Sequence, residues 1–259
     1  MASTSGVQLI EKVAALLRAL EDGGELTPAE LAAATGEPRS SVYRLLSTLE
    51  ALGYVEPGDQ RGTVRLGLRL FELGSAVARR FDVRQRALPA MKALQHETDQ
   101  TVMLWVRRGR DAVCLERLDG RYVNLVIVDV GSTMALHTGA APRALLAFAP
   151  PEVVDAALDG PLGAYTAATV TDAAAVRRTL AEVREAGYVV SDEDVVPGVA
   201  SLGAPLRDHD GEVVAAISIA GPRPTILDAA GRTRELLLDT CAGVSRSLGW
   251  RQELDAASR

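Results

Sequence analysis

Cysteine is scarce in this chain. Cys114 and Cys241 are the whole supply in 259 residues, and they stand far apart. That suits a reducing cytoplasm, the expected location, better than a disulfide framework. His96, His137 and His209 are the three histidines, and none falls at ligand spacing from a cysteine or another histidine, so no metal site is expected. No apolar run approaches the roughly 18 residues that span a bilayer. The opening MASTSGVQLIEK lacks a basic start followed by an apolar core, so neither a membrane span nor a secretory signal is expected. Enzyme signatures are missing too. Ser201 and Ser218 lie outside any Gly-x-Ser-x-Gly elbow, no glycine-rich phosphate loop follows a strand, and His209 sits in a polar turn. No catalytic residue and no cofactor is expected. Positive charge is in deficit as well: the formal charge is −6, which argues against a surface that binds nucleic acid without selection.

What is present is a length suited to one large domain or two ordinary ones, and 47% hydrophobic with 24% charged residues, a globular composition. The sequence shows neither an internal repeat nor a low-complexity segment.

The first 67 residues are built around helices. Val7, Ile10, Val13, Ala14, Leu17 and Leu20 recur at three- and four-residue intervals, the stripe of an amphipathic helix over 7–20. Thr27-Pro28-Ala29-Glu30 is a capping box that opens a second helix, lasting to about Thr35. Gly36 supplies a left-handed turn and Pro38 restarts a helix to Leu52, closed by Gly53. Ala32, Gly36 and Val42 fall at the spacing of a helix-turn-helix: a small residue for close crossing, a glycine for the turn, a branched residue beneath. Tyr54–Glu56 and Thr63–Leu66, joined by Pro57–Gly62, read as a hairpin, hence a wing. In the third helix Val42, Leu45, Leu46, Leu49 and Leu52 face inward. Arg39, Ser40, Ser41, Tyr43, Arg44 and Ser47, with Arg61 and Arg65 on the wing, are then the candidate contacts to double-stranded DNA. Residues 1–67 carry six basic and nine acidic residues, 6 − 9 = −3. Distribution outweighs that sum, because phosphates are met at short range through a screened solvent, and 38–49 holds two arginines and no acid. A plain structural or protein-binding unit is the alternative.

Leu70, Leu73, Val77 and Phe81 mark a further helix over 68–82, a linker that can also pair subunits. A helix from Val83 to about His96 follows, interrupted by Pro89. From Thr101 the period changes to strands: 101–108, 111–118 and 122–130. Short helices are expected at 142–149 and 152–158, a longer one at 171–186, strands at 188–191, 200–206 and 212–221, and a last helix over 228–250. Irregular alternation with an antiparallel hairpin reads as an α+β sensor-type domain over 83–259.

These blocks resemble the IclR-type transcription regulators. The winged unit LAAATGEPRSSVYRLLSTLEALGYVE, then VRLGLRLFELG, LHTGAAPRALLAF, REAGYVVSDEDVVPGVASLGAPL and VAAISIAGP, keep the family's order over nearly the whole chain. The resemblance implies an N-terminal winged helix-turn-helix (1–67), a linker helix (68–82) and a GAF-like effector-binding domain (83–259). It also implies dimers or dimers of dimers on palindromic operators, and small organic acids or aromatic compounds as effectors. One block departs: family members often read Ala-Thr-Ala-x-Gly-Lys-Ala where this chain has Thr138-Gly139-Ala140-Ala141-Pro142-Arg143-Ala144.

Gly139, Ala140 and Ala141 precede Pro142, so their N–H groups belong to a helix N-terminus, where an anion is favoured. Hydroxyls of Ser201 and Ser218, on neighbouring strands of the expected hairpin, could complete a carboxylate site. By family position Asp192 reaches the same pocket; a surface charge is its alternative role. Trp105 and Leu136 are candidates for the apolar wall, with plain core as the alternative. The function expected is a ligand-responsive repressor. A domain that only oligomerises is the alternative for the C-terminal part.

Overall fold

The computed structural model describes residues 3–78, 82–121, 128–228 and 230–251. The chain divides into two units, 1–81 and 82–259, and the helix expected as a linker falls with the first.

In the first unit, α1 (Ser3–Gly23), α2 (Pro28–Thr35) and α3 (Arg39–Ala51) pack around Leu16, Leu20, Leu31, Val42, Leu45, Leu46 and Leu49. Both halves of the capping box form: Thr27 Oγ1 accepts the Glu30 N–H, and the Glu30 carboxylate accepts the Thr27 N–H at 2.8 Å. Gly36 closes α2 at φ 69°, a conformation that costs a side-chain-bearing residue energy and that lets α3 turn beneath α2. Strands β1 (Val55–Pro57) and β2 (Val64–Leu66) pair antiparallel as the wing. Leu26 bridges to Val64, so the wing is tied to the chain before α2. Glu25 ties its tip, accepting the Asp59 N–H at 2.9 Å and the Thr63 hydroxyl at 3.0 Å. Helix α4 (Leu68–Ala78) follows, and its expected end at Phe81 lies outside the described residues. The stripe expected for α1 is only half used: Leu20 is buried, but Val7 and Ile10 are 54% and 70% exposed.

The second unit opens with α5 (Asp82–Thr98), which continues through Pro89. Its sheet has six antiparallel strands in the order β5-β4-β3-β8-β7-β6. They are β3 (Thr101–Arg108), β4 (Asp111–Leu118), β5 (Thr133–Ala135), β6 (Val189–Asp192), β7 (Val199–Arg207) and β8 (Val213–Pro222). Pairing of β3 with β8 puts Met103 opposite Ser218 and Leu104 opposite Ile217. Alternation sends Met103, Trp105 and Ala216 to one face, where they share a core with α6 (Ala140–Ala147), α7 (Pro151–Ala157) and α8 (Ala173–Ala186). Helices α5 and α10 (Ala230–Ser247) pack on each other and on the sheet.

Besides the uninterrupted α5, four expectations change. β5 was not expected: three residues give too short a pattern to read. Of the strand expected at 122–130, residues 122–127 lie outside the described residues, and 128–130 are loop and turn. Helix α6 begins at Ala140 rather than Pro142, because Gly139 at φ 65° turns the chain into it earlier. The last helix is split into α9 (Arg223–Asp228) and α10.

Candidate functional site: an exposed helix face and a lined cavity

On α3, burial of Val42, Leu45, Leu46 and Leu49 leaves Arg39, Ser40, Tyr43, Arg44 and Ser47 exposed on the opposite face, with Ser41 half-buried at its edge. Tyr43 is 61% exposed, an unusual placement for a large ring. Arg61 is exposed on the wing. Arg65, the other candidate DNA contact on the wing, is already engaged by carboxylates. Its guanidinium lies 2.9 Å from both Glu56 and Asp59 and 3.6 Å from Glu25. The hydrogen bond to Glu56 and the charge of Asp59 raise its pKa. Arg65 is thus a strut of the wing whose charge is already offset. Charge counting along the sequence missed this, because Glu56 faces Arg65 only when the hairpin pairs and Glu25 comes from outside the wing.

The second unit holds a cavity between the α6 N-terminus, strands β3, β7 and β8, and the loop after β6. Its volume is small, about 40 Å³ without the open mouth. Six of the expected residues line it: Trp105, Gly139, Ala140, Ala141, Ser201 and Ser218. They meet because Ser201 stands opposite Ala220 and Ser218 opposite Gly203, which puts both hydroxyls on the α6 side of the sheet. A Cβ on Gly203 would lie 2.6 Å from the Ala140 carbonyl carbon, so glycine there is what lets α6 sit this close. The first N–H groups of α6 have no acceptor within the helix. Trp105 Nε1 donates to Ser218 Oγ at 3.2 Å, so the indole is both wall and positioner of the hydroxyl.

Two expected residues lie elsewhere. Asp192 is absent from the lining: it is bound through both carboxylate oxygens by Arg223, at 2.7 and 2.9 Å, on the exposed side of β6. Strand β6 alternates, with Val189 and Ser191 buried and Val190 and Asp192 exposed, and that parity was the signal that could have excluded it. Leu136 is 1% exposed and belongs to the core behind the cavity, its alternative role. Residues the sequence reading missed are Ser191, Val195 and Val196, all lining, and Asp194, whose carboxylate accepts the Gly139 N–H at 3.1 Å. Met103, Met134 and Val128 add to the apolar wall.

The rest of the chemistry is bland. Burial raises the pKa of Cys114 to about 12 and raises that of Cys241, so both thiols are held protonated. The one metal-like group among the described residues is Asp208, His209 and Asp210. Asp208 Oδ1 there accepts the N–H groups of Asp210 and Glu212, the work of a turn. Among the described residues no helix is long and apolar enough to cross a membrane.

A helix-turn-helix unit joined to an α/β unit with its own cavity defines the class of two-domain bacterial regulators. Residues 9–59 match the IclR helix-turn-helix domain, and residues 75–246 match the bacterial transcriptional regulator IclR C-terminal domain. The chain belongs to the IclR family, whose members are DNA-binding transcription regulators and not enzymes. It is 32% identical over 243 residues to the HTH-type transcriptional regulator KipR of Bacillus subtilis, covering 93% of this chain and 97% of that one. To the HTH-type transcriptional repressor AllR of Escherichia coli it is 32% identical, over 96% and 93% of the two chains. Among solved structures, an IclR homolog from Microbacterium hydrocarbonoxydans complexed with 4-hydroxybenzoate superposes with a TM-score of 0.82 at 31% identity, over 93% and 98% of the chains. The IclR of Thermotoga maritima gives 0.75 at 26% identity, over 95% and 99%.

Proposed function

We infer that this protein is a ligand-responsive repressor that binds a palindromic operator through paired winged units and senses a small organic acid, aromatic or short aliphatic. The observation that carries the ligand half is the convergence, in one apolar cavity, of the α6 N-terminus with the hydroxyls of Ser201 and Ser218. Amides at a helix start favour an anion, hydroxyls orient it, and methionine and tryptophan cover its body. The 4-hydroxybenzoate complex of the Microbacterium homolog supports an aromatic acid, and the repressor AllR supports the direction of control. Arg39, Ser40, Ser41, Tyr43, Arg44, Ser47 and Arg61 carry the DNA half, in a cytoplasmic protein.

The narrowness of the cavity favours a second reading, a domain that only oligomerises. A thermal-shift screen of small carboxylic acids, followed by operator titration with and without each hit, separates the two readings. A ligand that prefers the folded state raises the melting temperature and should then weaken operator binding. If no acid shifts the melting temperature, or the hits leave operator binding unchanged, the ligand-responsive reading fails.

A further inference from the structure

A carboxylate already stands at the α6 N-terminus. Asp194, 6% exposed, sets Oδ2 3.1 Å from the Gly139 N–H and 3.2 Å from Nη2 of Arg143. Its Oδ1 accepts the Ser191 hydroxyl. Arg143 also donates to the carbonyls of Gly139 and Val190, at 2.9 Å each. Burial lowers the pKa of Arg143, and the charge of Asp194 opposes that shift. Gly139 and Ser191 line the cavity, so this buried pair lies one hydrogen bond from whatever occupies it.

We propose that Asp194 sets how strongly the pocket prefers an anionic effector over an uncharged one, by offsetting Arg143 and the helix N-terminus. The proposal rests on reading the cavity as the effector site. Three charges act on a ligand headgroup held by the Ala140 and Ala141 N–H groups. The helix end contributes about half a positive charge, Arg143 a whole one, and Asp194 a whole negative one. All three are largely shielded from solvent, so they act at close to full reach. The sum is weakly positive, and the pocket therefore discriminates only modestly between an acid and its amide. Removing the negative charge while keeping an acceptor at the Gly139 N–H leaves Arg143 uncompensated and strengthens the hold on an anion. Removing the positive charge does the reverse. Asp194 does not touch the ligand; it acts on it through the field.

The test compares Kd values for benzoate and 4-hydroxybenzoate with those for the two amides, by calorimetry on the full chain. The proteins are wild type, Asp194→Asn, Arg143→Gln and the double variant. The acid-over-amide preference should be highest in Asp194→Asn, lowest in Arg143→Gln, and alike in wild type and the double variant. Each single step should be about tenfold, the effect of one like charge a few ångströms from a carboxylate. A purely structural role would instead weaken acid and amide together, and equal ratios in all four proteins overturn the proposal. Each single variant strands one partner of a buried ion pair and can fail to fold. Where only one folds, its ratio relative to the double variant carries the test: about tenfold higher for Asp194→Asn, about tenfold lower for Arg143→Gln, and an unchanged ratio overturns the proposal. If neither acid nor amide binds the wild type, the reading of the cavity as an effector site fails as well, an outcome distinct from binding in the wrong order.

Discussion

Ser218 holds one hydrogen bond from Trp105 and has its own hydrogen to give. Its replacement by alanine has two separable effects. A ligand carboxylate loses a charge-assisted bond of roughly 1.5–3 kcal/mol, so the acid should weaken by about ten- to a hundredfold in calorimetry. The indole N–H also loses its acceptor, which lowers stability. Trp105→Phe in the Ser218→Ala background should recover part of the melting temperature and none of the affinity. Unchanged acid affinity in Ser218→Ala would remove the hydroxyl from the site. On α3 Arg44 is exposed, whereas on β2 Arg65 is held by three carboxylates. Arg44→Ala should weaken operator binding with the fold intact, while Arg65→Ala should mainly loosen the wing. Operator titration beside thermal melts of both variants tests this, and equal losses of affinity in two equally stable proteins would contradict it.

The elements differ in how openly the sequence announces them. The helix-turn-helix was legible because its signals are local: the Thr27 capping box, Gly36, Pro38, and the inward spacing of Val42, Leu45 and Leu49 all lie within a few residues of what they control. The cavity was legible in part. The α6 amides and two serines follow from strand parity and the helix start, but Asp194 does not. It enters the site only because β6 ends at Asp192 and Glu193 takes φ 56°, which breaks the alternation. The sheet order was out of reach, since it rests on pairings between residues over a hundred positions apart. The wing depends on an ionised Glu25, whose pKa is lowered chiefly by the Asp59 and Gln60 N–H groups. With the folded value below the unfolded one, its contribution is complete above the usual 4.5 and is lost as pH falls through the lower folded value. The protection of the Asp59 and Gln60 amides, taken relative to the intrinsic exchange rate at each pH, should therefore fall on acidification below that value. Glu25→Gln should show fast exchange already at neutral pH. Slow exchange in that variant would show that Leu26 and Val64 hold the wing by themselves.

At the scale of the molecule, α1 and α4 each leave large apolar side chains in water: Ile10 and Phe71 are 70% and 71% exposed, and Leu68 is 66% exposed. Such surface is characteristic of an interface. A dimer at micromolar concentration is the expected result by light scattering, with Phe71→Asp weakening both assembly and operator binding. A wild-type monomer that binds a palindrome tightly would refute this. With Arg65 offset, Arg39, Arg44 and Arg61 are the cations expected to meet phosphate, so a dimer's log-log salt slope should be near −5, shallow for a repressor. A slope near −10 would mean that other cations reach the DNA. The strand order carries a consequence in time. Strands β3 and β8 are neighbours at the centre of the sheet, yet Met103 and its partner Ser218 are separated by most of the second unit's length. A nascent chain emerging from the ribosome cannot close this sheet until β8 has left the exit tunnel, and until then the apolar side of β3 must wait uncovered. Non-local pairing of this kind folds slowly, and Trp105, stationed on that central seam, should report its closure as the last fluorescence change in refolding.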